Sequence, residues 1–289
     1  MSKPIKKKVS ITAQGTCLMR AISYYEKDPC YKSEDFIASA ILPSFLTTTA
    51  KYNFSRAILK KAFFKVPGIY EYVISRTHFI DAIFKNELSG IEQVLIFGAG
   101  FDSWAIRFEK ELKNSKVFEI DAAPTQQAKR STFAERNMEF PTNLKFVSLD
   151  LTQETLLEKL EEAGFEKNRK CLFLLEGLTY YLPKDTIASM FNFISSYAAK
   201  GSQLIFDYAF ASTLNQESNS ANTKKHYQTL VKANEKPGFV LEGEIQDFLE
   251  KYSFEVMEEL DSVKLAKKYF NIDNLKPAAQ RFKLVRAVK

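Results

Sequence analysis

Gln93-Val-Leu-Ile-Phe-Gly-Ala-Gly-Phe-Asp102 is the stretch from which the rest of the chain can be read. An apolar run ends in Gly98-Ala-Gly100. A second run, Val117-Phe-Glu-Ile-Asp121, ends in an acid 23 positions beyond the first glycine. A strand, a glycine turn, a helix and a second strand closed by an acid form a nucleotide-binding βαβ unit. In such a unit the glycines let the backbone approach a ligand, and the acid accepts hydrogen bonds from ribose hydroxyls.

The turn departs from Gly-x-Gly-x-x-Gly, because Ser103 stands where the third glycine belongs. That glycine brings helix and strand close for a pyrophosphate on the helix N-terminus. Asp102 also opposes a phosphate there, although an acid suits a helix start electrostatically. It is compatible with a cationic ligand such as S-adenosylmethionine, the alternative being a plain helix cap.

Outward from this unit, strands and helices alternate. Strands are expected at 91–97, 116–120, 144–149, 170–175 and 202–208, with helices at 103–112, 124–138, 153–163 and 184–199. Pro124 and Pro183 sit where a first helical turn tolerates proline, and Gly201 at a helix exit. The alternation predicts an α/β fold, a parallel sheet with helices on both faces. A strand at 253–260, a helix at 263–270 and a last strand at 281–289 add an antiparallel edge, for seven strands in all.

Residues 1–88 lack strand alternation and read as helices at 16–26, 33–40, 54–64 and 69–86. They suggest an N-terminal helical cap on a catalytic domain spanning 89–289. The polar segment at about 209–240 follows a strand's C-terminal end, where open α/β sheets bind ligands, and reads as a lid or as a surface insertion.

With 289 residues, 45% of them hydrophobic, the chain can bury a substantial core. No apolar run approaches the roughly 18 to 20 residues that span a bilayer, and no signal core follows the basic start, so no membrane is expected and the cytoplasm is the expected location. Three scattered cysteines suit a reducing compartment and lack zinc-ligand spacing. With two histidines as well, no metal is expected. The net charge of +6 is mild, and Lys6–Lys8 has no aromatic-basic interleaving beside it, so no nucleic acid partner is expected.

Four features fall at the ends of successive strands: Gly98 and Gly100, then Asp121, then Asp150-Leu151, then Glu176-Gly177. In a parallel sheet all four share one edge. Asp121 suits the ribose, Asp150 the adenine amino group with the Leu151 amide beside it, and Glu176 the methionine portion or the reaction centre. A carboxylate near an ammonium or sulfonium is favourable, more so away from water.

These residues resemble the leucine carboxyl methyltransferase-like family of S-adenosylmethionine enzymes, including its bacterial polyketide O-methyltransferase branch. The matching motifs are Ser75-Arg-Thr-His-Phe-Ile-Asp81, Val94–Asp102, Phe118–Asp121, Val147-Ser-Leu-Asp-Leu151 and Leu175-Glu-Gly-Leu-Thr-Tyr-Tyr-Leu182. The resemblance implies a class I methyltransferase Rossmann-like fold with S-adenosyl-L-methionine as cofactor. It also implies that Arg76 binds the carboxylate of the methionine moiety, although by position alone Arg76 reads as an exposed helix residue. By the same resemblance Gly98 and Gly100 pass close to the cofactor, Asp121 holds the ribose, Asp150 and Leu151 flank the adenine, and Glu176 faces the amino group or the methyl-transfer site. Arg20 matches more loosely and reaches cofactor or substrate. Phe97 and Ser103-Trp104 depart from the family's usual residues, which puts substrate details in doubt rather than cofactor binding.

The expected activity is methyl transfer to a carboxylate or hydroxyl of a small polyketide-like acid or phenol, with Glu176, Tyr180 and Tyr181 positioning the substrate. Other readings are methylation of a protein C-terminal carboxylate, a nicotinamide (NAD)-dependent oxidoreductase, and a cofactor-binding protein without turnover. A carboxylate acceptor needs no general base, whereas a hydroxyl does. His78 and His226 read as structural or exposed. Asp121→Ala and Arg76→Ala are each expected to abolish cofactor binding without unfolding the domain.

Overall fold

All five residues of β1 (Gln93–Phe97) are buried, as befits a central strand covered on both faces. The computed structural model describes residues 9–64, 67–151, 156–210, 238–271 and 282–289. Beside β1 lie β2 (Lys116–Asp121), β3 (Leu144–Ser148), β4 (Cys171–Leu175), β5 (Gln203–Phe210), the two-residue β6 (Val240–Leu241), β7 (Glu255–Asp261) and β8 (Phe282–Val288). Their order across the sheet is β3-β2-β1-β4-β5-β8-β7, with β6 paired to the end of β5. β1 to β5 run parallel, and β8 is antiparallel to both β5 and β7. The sheet is therefore the expected mostly parallel one with a reversed C-terminal strand. β6 is the addition, too short for a periodic pattern to reveal.

Strand alternation sorts the core into two layers. Val94, Ile96, Leu172 and Leu174 face a layer built with α1 (Ile11–Tyr24), α2 (Phe36–Ile41), α5 (Ile69–Asn86) and α6 (Trp104–Arg107). Leu95, Phe97, Phe173 and Leu175 face α8 (Leu156–Glu162), α9 (Lys184–Tyr197) and α10 (Ile245–Glu250). α11 (Ser262–Phe270) packs on the first face, beside α5. The N-terminal helices thus share a buried core with one sheet face.

Local chemistry sets several ends. Ser10 Oγ accepts from Ala13 N and starts α1, five residues before the expected start. Pro124 lies in the first turn of α7 (Ala123–Glu135). Asp261 caps α11, and Asn271 closes it in the left-handed region at φ 54°. The helix expected over 103–112 shrinks to α6, because Glu109 N bonds back to Ile106 O and the chain continues as turns. Between α2 and α5 lie α3 (Ser44–Lys51) and α4 (Asn53–Phe63). The sequence did not suggest α3: three consecutive threonines are weak helix formers. Thr47 Oγ1 donates to Ser39 O and ties α3 to α2, and Thr49 Oγ1 donates to Phe45 O within it. Most of the 209–240 segment, with His226, lies outside the described residues, as does Lys6–Lys8.

Candidate functional site

The parallel register brings the ends of β1, β2, β3, β4 and β5 to one edge. After β1, Gly98 N and Ala99 N both donate to Ile120 O, and the chain turns at Gly98 (φ 65°) and Gly100 (φ 55°). Both φ values lie where side chains are strained. Close packing adds a second constraint. A Cβ on Gly98 would stand 2.8 Å from Leu178 Cδ1, and one on Gly100 3.0 Å from the Ala13 Cβ. Asp121, at the end of β2, accepts from Gly100 N at 2.5 Å and from Ala122 N at 2.6 Å. These amides orient its carboxylate, whose oxygens can each accept more than one hydrogen bond. Asp150 and Leu151, both half-buried, follow β3 on the same edge.

Arg76 lies deep in α5, 2% exposed, and is not the surface residue its position suggests. Its guanidinium sits between two carboxylates: Nη2 pairs with Glu176 Oε1 and Nη1 with Asp207 Oδ2. It also lies over the Tyr72 ring, with Cζ 5.2 Å from the centroid. Asp207, on β5 and fully buried, accepts from Tyr72 Oη at 2.8 Å and from Gly177 N at 2.7 Å. Burial pushes the Glu176 carboxyl up, opposed by the charges of Arg76 and Arg20. For Arg76, burial favours the neutral form, but Asp207 and Glu176 outweigh it and hold the guanidinium charged.

Tyr180 and Tyr181 follow on a 3₁₀ turn, Thr179–Tyr181. The Tyr180 hydroxyl lies 3.5 Å from Arg76 Nη1 and 3.4 Å from Asp207 Oδ2, and its ring packs on Phe282 of β8. Burial, then Asp207, keep its phenol well above the usual range, so it stays protonated.

Three further buried networks lie around the glycine turn and the helix after it. Arg20 of α1 donates to Asp35 Oδ2 at 2.8 Å and to Phe101 O at 2.6 Å. Asp81 accepts both Arg107 Nη atoms at 2.7 Å and Trp104 Nε1 at 2.8 Å, tying α6 to α5. Asp102 does not stand at the helix start as a simple cap. It pairs with the buried Lys129 at 3.3 Å, which also meets Glu119 at 2.7 Å. One ammonium serves two carboxylates, leaving Asp102 Oδ2 and Glu119 Oε1 without hydrogen-bond partners among the described residues. Burial and the neighbouring Asp102 push Glu119 up to about 8 against the pull of Lys129.

The structure thus gathers Arg76, Glu176 and Tyr180 into one cluster, and Gly98, Gly100 and Asp121 into another. Arg20 holds the residue after the glycine turn through Phe101 O, and Asp102 is held by Lys129. His78 lies outside both, stacked on Tyr269 of α11. Asp207, Tyr72, Glu119 and Lys129 were not anticipated from sequence. Asp207 and Glu119 did carry a signal, since each is an acid inside an otherwise apolar strand run. Among the described residues no group of three or more His, Cys, Asp or Glu could hold a metal, and no helix is long and apolar enough to cross a membrane.

Comparison with known proteins follows the same lines. The sequence profile of the family described as "Leucine carboxyl methyltransferase" matches residues 13–195. A Bacillus subtilis (strain 168) protein named "Putative S-adenosyl-L-methionine-dependent methyltransferase YktD" is 34% identical over 166 residues, covering 57% of this chain and 54% of that protein. A Mycobacterium marinum protein named "Putative S-adenosyl-L-methionine-dependent methyltransferase" is 32% identical over 139 residues, 48% of this chain and 46% of that one. The chain spans about half the length of the curated relatives it matches. Among solved structures, a "putative methyltransferase" from Thermobifida fusca aligns over 98% of this chain and 95% of its own, with TM-score 0.57 and 16% identity. A DUF574 family protein from Streptomyces avermitilis aligns over 94% and 96%, with TM-score 0.58 and 12% identity. At such identities the likeness is one of fold.

Proposed function

Since the chain belongs to the leucine carboxyl methyltransferase family, we propose that it is an S-adenosyl-L-methionine-dependent methyltransferase acting on a carboxylate or hydroxyl of a small molecule, a polyketide-like acid or phenol. The observation that carries this reading is the pairing of two clusters on one sheet edge. The amide-braced Asp121 beside a glycine turn suits a ribose. The Arg76–Glu176 pair suits an amino-acid zwitterion. The donor set therefore fits an adenosyl group linked to methionine, and the acid-rich surroundings of Glu176, Asp207 and Asp102 fit its positive charge.

In this reading Arg76 holds the methionine carboxylate and Glu176 the ammonium. Asp121 holds the ribose hydroxyls, and Asp150 with the Leu151 amide takes the adenine. Gly98 and Gly100 line the backbone side of the site, and Asp102 and Arg20 support it from behind. When bound, the cofactor supplies an electrophilic methyl on sulfur. The chain's own task is to align the acceptor and exclude water, and orientation of this kind contributes roughly 7–11 kcal/mol to lowering a barrier. Tyr180 and Tyr181 position the acceptor as hydroxyl donors or ring surfaces, and residues 1–88 cap the site. A carboxylate acceptor needs no proton removed, which fits a described site whose basic groups are arginines and a lysine held in ion pairs. The family's description also favours a second reading, a protein C-terminal carboxylate as acceptor.

Calorimetric titration with S-adenosylmethionine, S-adenosylhomocysteine and NAD tests the cofactor. One-site binding of both adenosyl ligands with NAD silent supports the reading, and a screen of acids, phenols and C-terminal leucine peptides then separates the acceptors. Binding of NAD alone overturns it.

A further inference from the structure

We propose that Asp207 is a positioning residue that keeps Arg76 aimed at the cofactor when Glu176, the other partner of Arg76, is engaged by the ligand; this rests on the cofactor reading above. Asp207 touches both halves of the Arg76–Glu176 pair. Its Oδ2 takes Arg76 Nη1 directly, and its Oδ1 takes Gly177 N at 2.7 Å, the amide immediately after Glu176. The same carboxylate accepts from Tyr72 Oη at 2.8 Å, one helical turn before Arg76 on α5, and its main-chain oxygen accepts from Thr179 Oγ1 at 2.5 Å. One side chain on β5 therefore sets the distance between α5 and the segment that follows β4.

Exposure separates the two acids. The Asp207 side chain is 0% exposed and the Glu176 side chain 10% exposed. Glu176 is the acid a ligand reaches, and Asp207 stays with Arg76. An amino-acid zwitterion presents the same two charges as the pair itself, so its carboxylate takes Arg76 while its ammonium takes Glu176. A buried guanidinium stays charged, so once Glu176 turns to the ligand's ammonium, a second fixed carboxylate is what keeps Arg76 from shifting. With Asp207 fixed behind it, Arg76 keeps one partner throughout and offers its remaining donors in a set direction.

The test compares wild type and Asp207→Asn by calorimetry with S-adenosylhomocysteine and with 5′-methylthioadenosine, which keeps the adenosyl part and lacks the amino acid. Asp207→Asn is expected to weaken S-adenosylhomocysteine about 10- to 100-fold, the loss typical of a charge-assisted hydrogen bond. Methylthioadenosine affinity is expected to stay within about twofold. Tyr72→Phe, which removes one hydrogen bond and keeps every charge, guards against a misfolded Asn variant and is expected to weaken S-adenosylhomocysteine about 3- to 10-fold. Unchanged S-adenosylhomocysteine affinity in Asp207→Asn overturns the proposal, as does equal weakening of both ligands, which marks a merely structural role. If Asp207→Asn does not fold, unchanged affinity in Tyr72→Phe overturns it in the same way. Failure of the wild-type protein to bind either ligand overturns the cofactor reading instead.

Discussion

Arg76 shows how burial changes the meaning of a residue. On an exposed helix face its removal would affect only a ligand. Between Glu176 and Asp207 it also neutralises two carboxylates that are otherwise buried. Arg76→Ala is therefore expected to cost about 3–5 kcal/mol of stability as well as cofactor affinity, because breaking a buried pair leaves uncompensated charge. Urea denaturation followed at Trp104, the only tryptophan, measures this directly. A stability loss below about 1 kcal/mol would mean that Arg76 is not what compensates the two acids. Asp121→Ala is the cleaner probe of binding. Asp121 is half-buried and braces two amides, so its loss should abolish measurable cofactor binding in calorimetry while the cooperative unfolding transition persists.

At the scale of elements, the β1–α6 turn, β2 and α7 are locked by one ammonium shared between Asp102 and Glu119. Glu119 has its folded pKa pushed up to about 8 from an ordinary 4.5, burial being the first cause. Folding therefore favours its protonated form. The stability it contributes is complete below about pH 4.5 and is lost as pH rises through about 8. Glu119→Gln lacks this dependence. Urea midpoints are expected to fall for wild type relative to Glu119→Gln across that window, with the difference levelling off at higher pH. Parallel profiles would show that Lys129 holds both acids ionised throughout.

For the whole molecule, the site draws on α1, α5, β1, β2, β4, β5 and, through Phe282 against Tyr72 and Tyr180, β8. The N-terminal helices also share one buried core with the sheet. Ligand binding should therefore stabilise the fold as a unit. S-adenosylhomocysteine at 100 times its dissociation constant is expected to add about 2.7 kcal/mol, raising the melting temperature by about 5 °C in a single transition. Differential scanning calorimetry checks this. Two transitions, only one of them moved by ligand, would show that residues 1–88 unfold independently.

The strands were legible because an apolar run buried on both faces looks the same in any parallel sheet. The row Gly98, Asp121, Asp150 and Glu176 was legible for a related reason. Once strands alternate with helices, their C-terminal ends must meet on one edge, whatever the details of packing. The short elements were not legible. α3 and β6 exist through contacts with the rest of the chain, not through their own propensity. The partners of the charged groups were not legible either. Asp207 lies 131 positions from Arg76 and 135 from Tyr72, and Lys129 lies 27 from Asp102. The sequence by itself determined the sheet, the edge where its parallel strands end and the acids along that edge, because these follow from local pattern and strand direction. Only the tertiary structure decided which buried charges neutralise one another, because those pairings depend on how distant helices settle onto the sheet and exclude water.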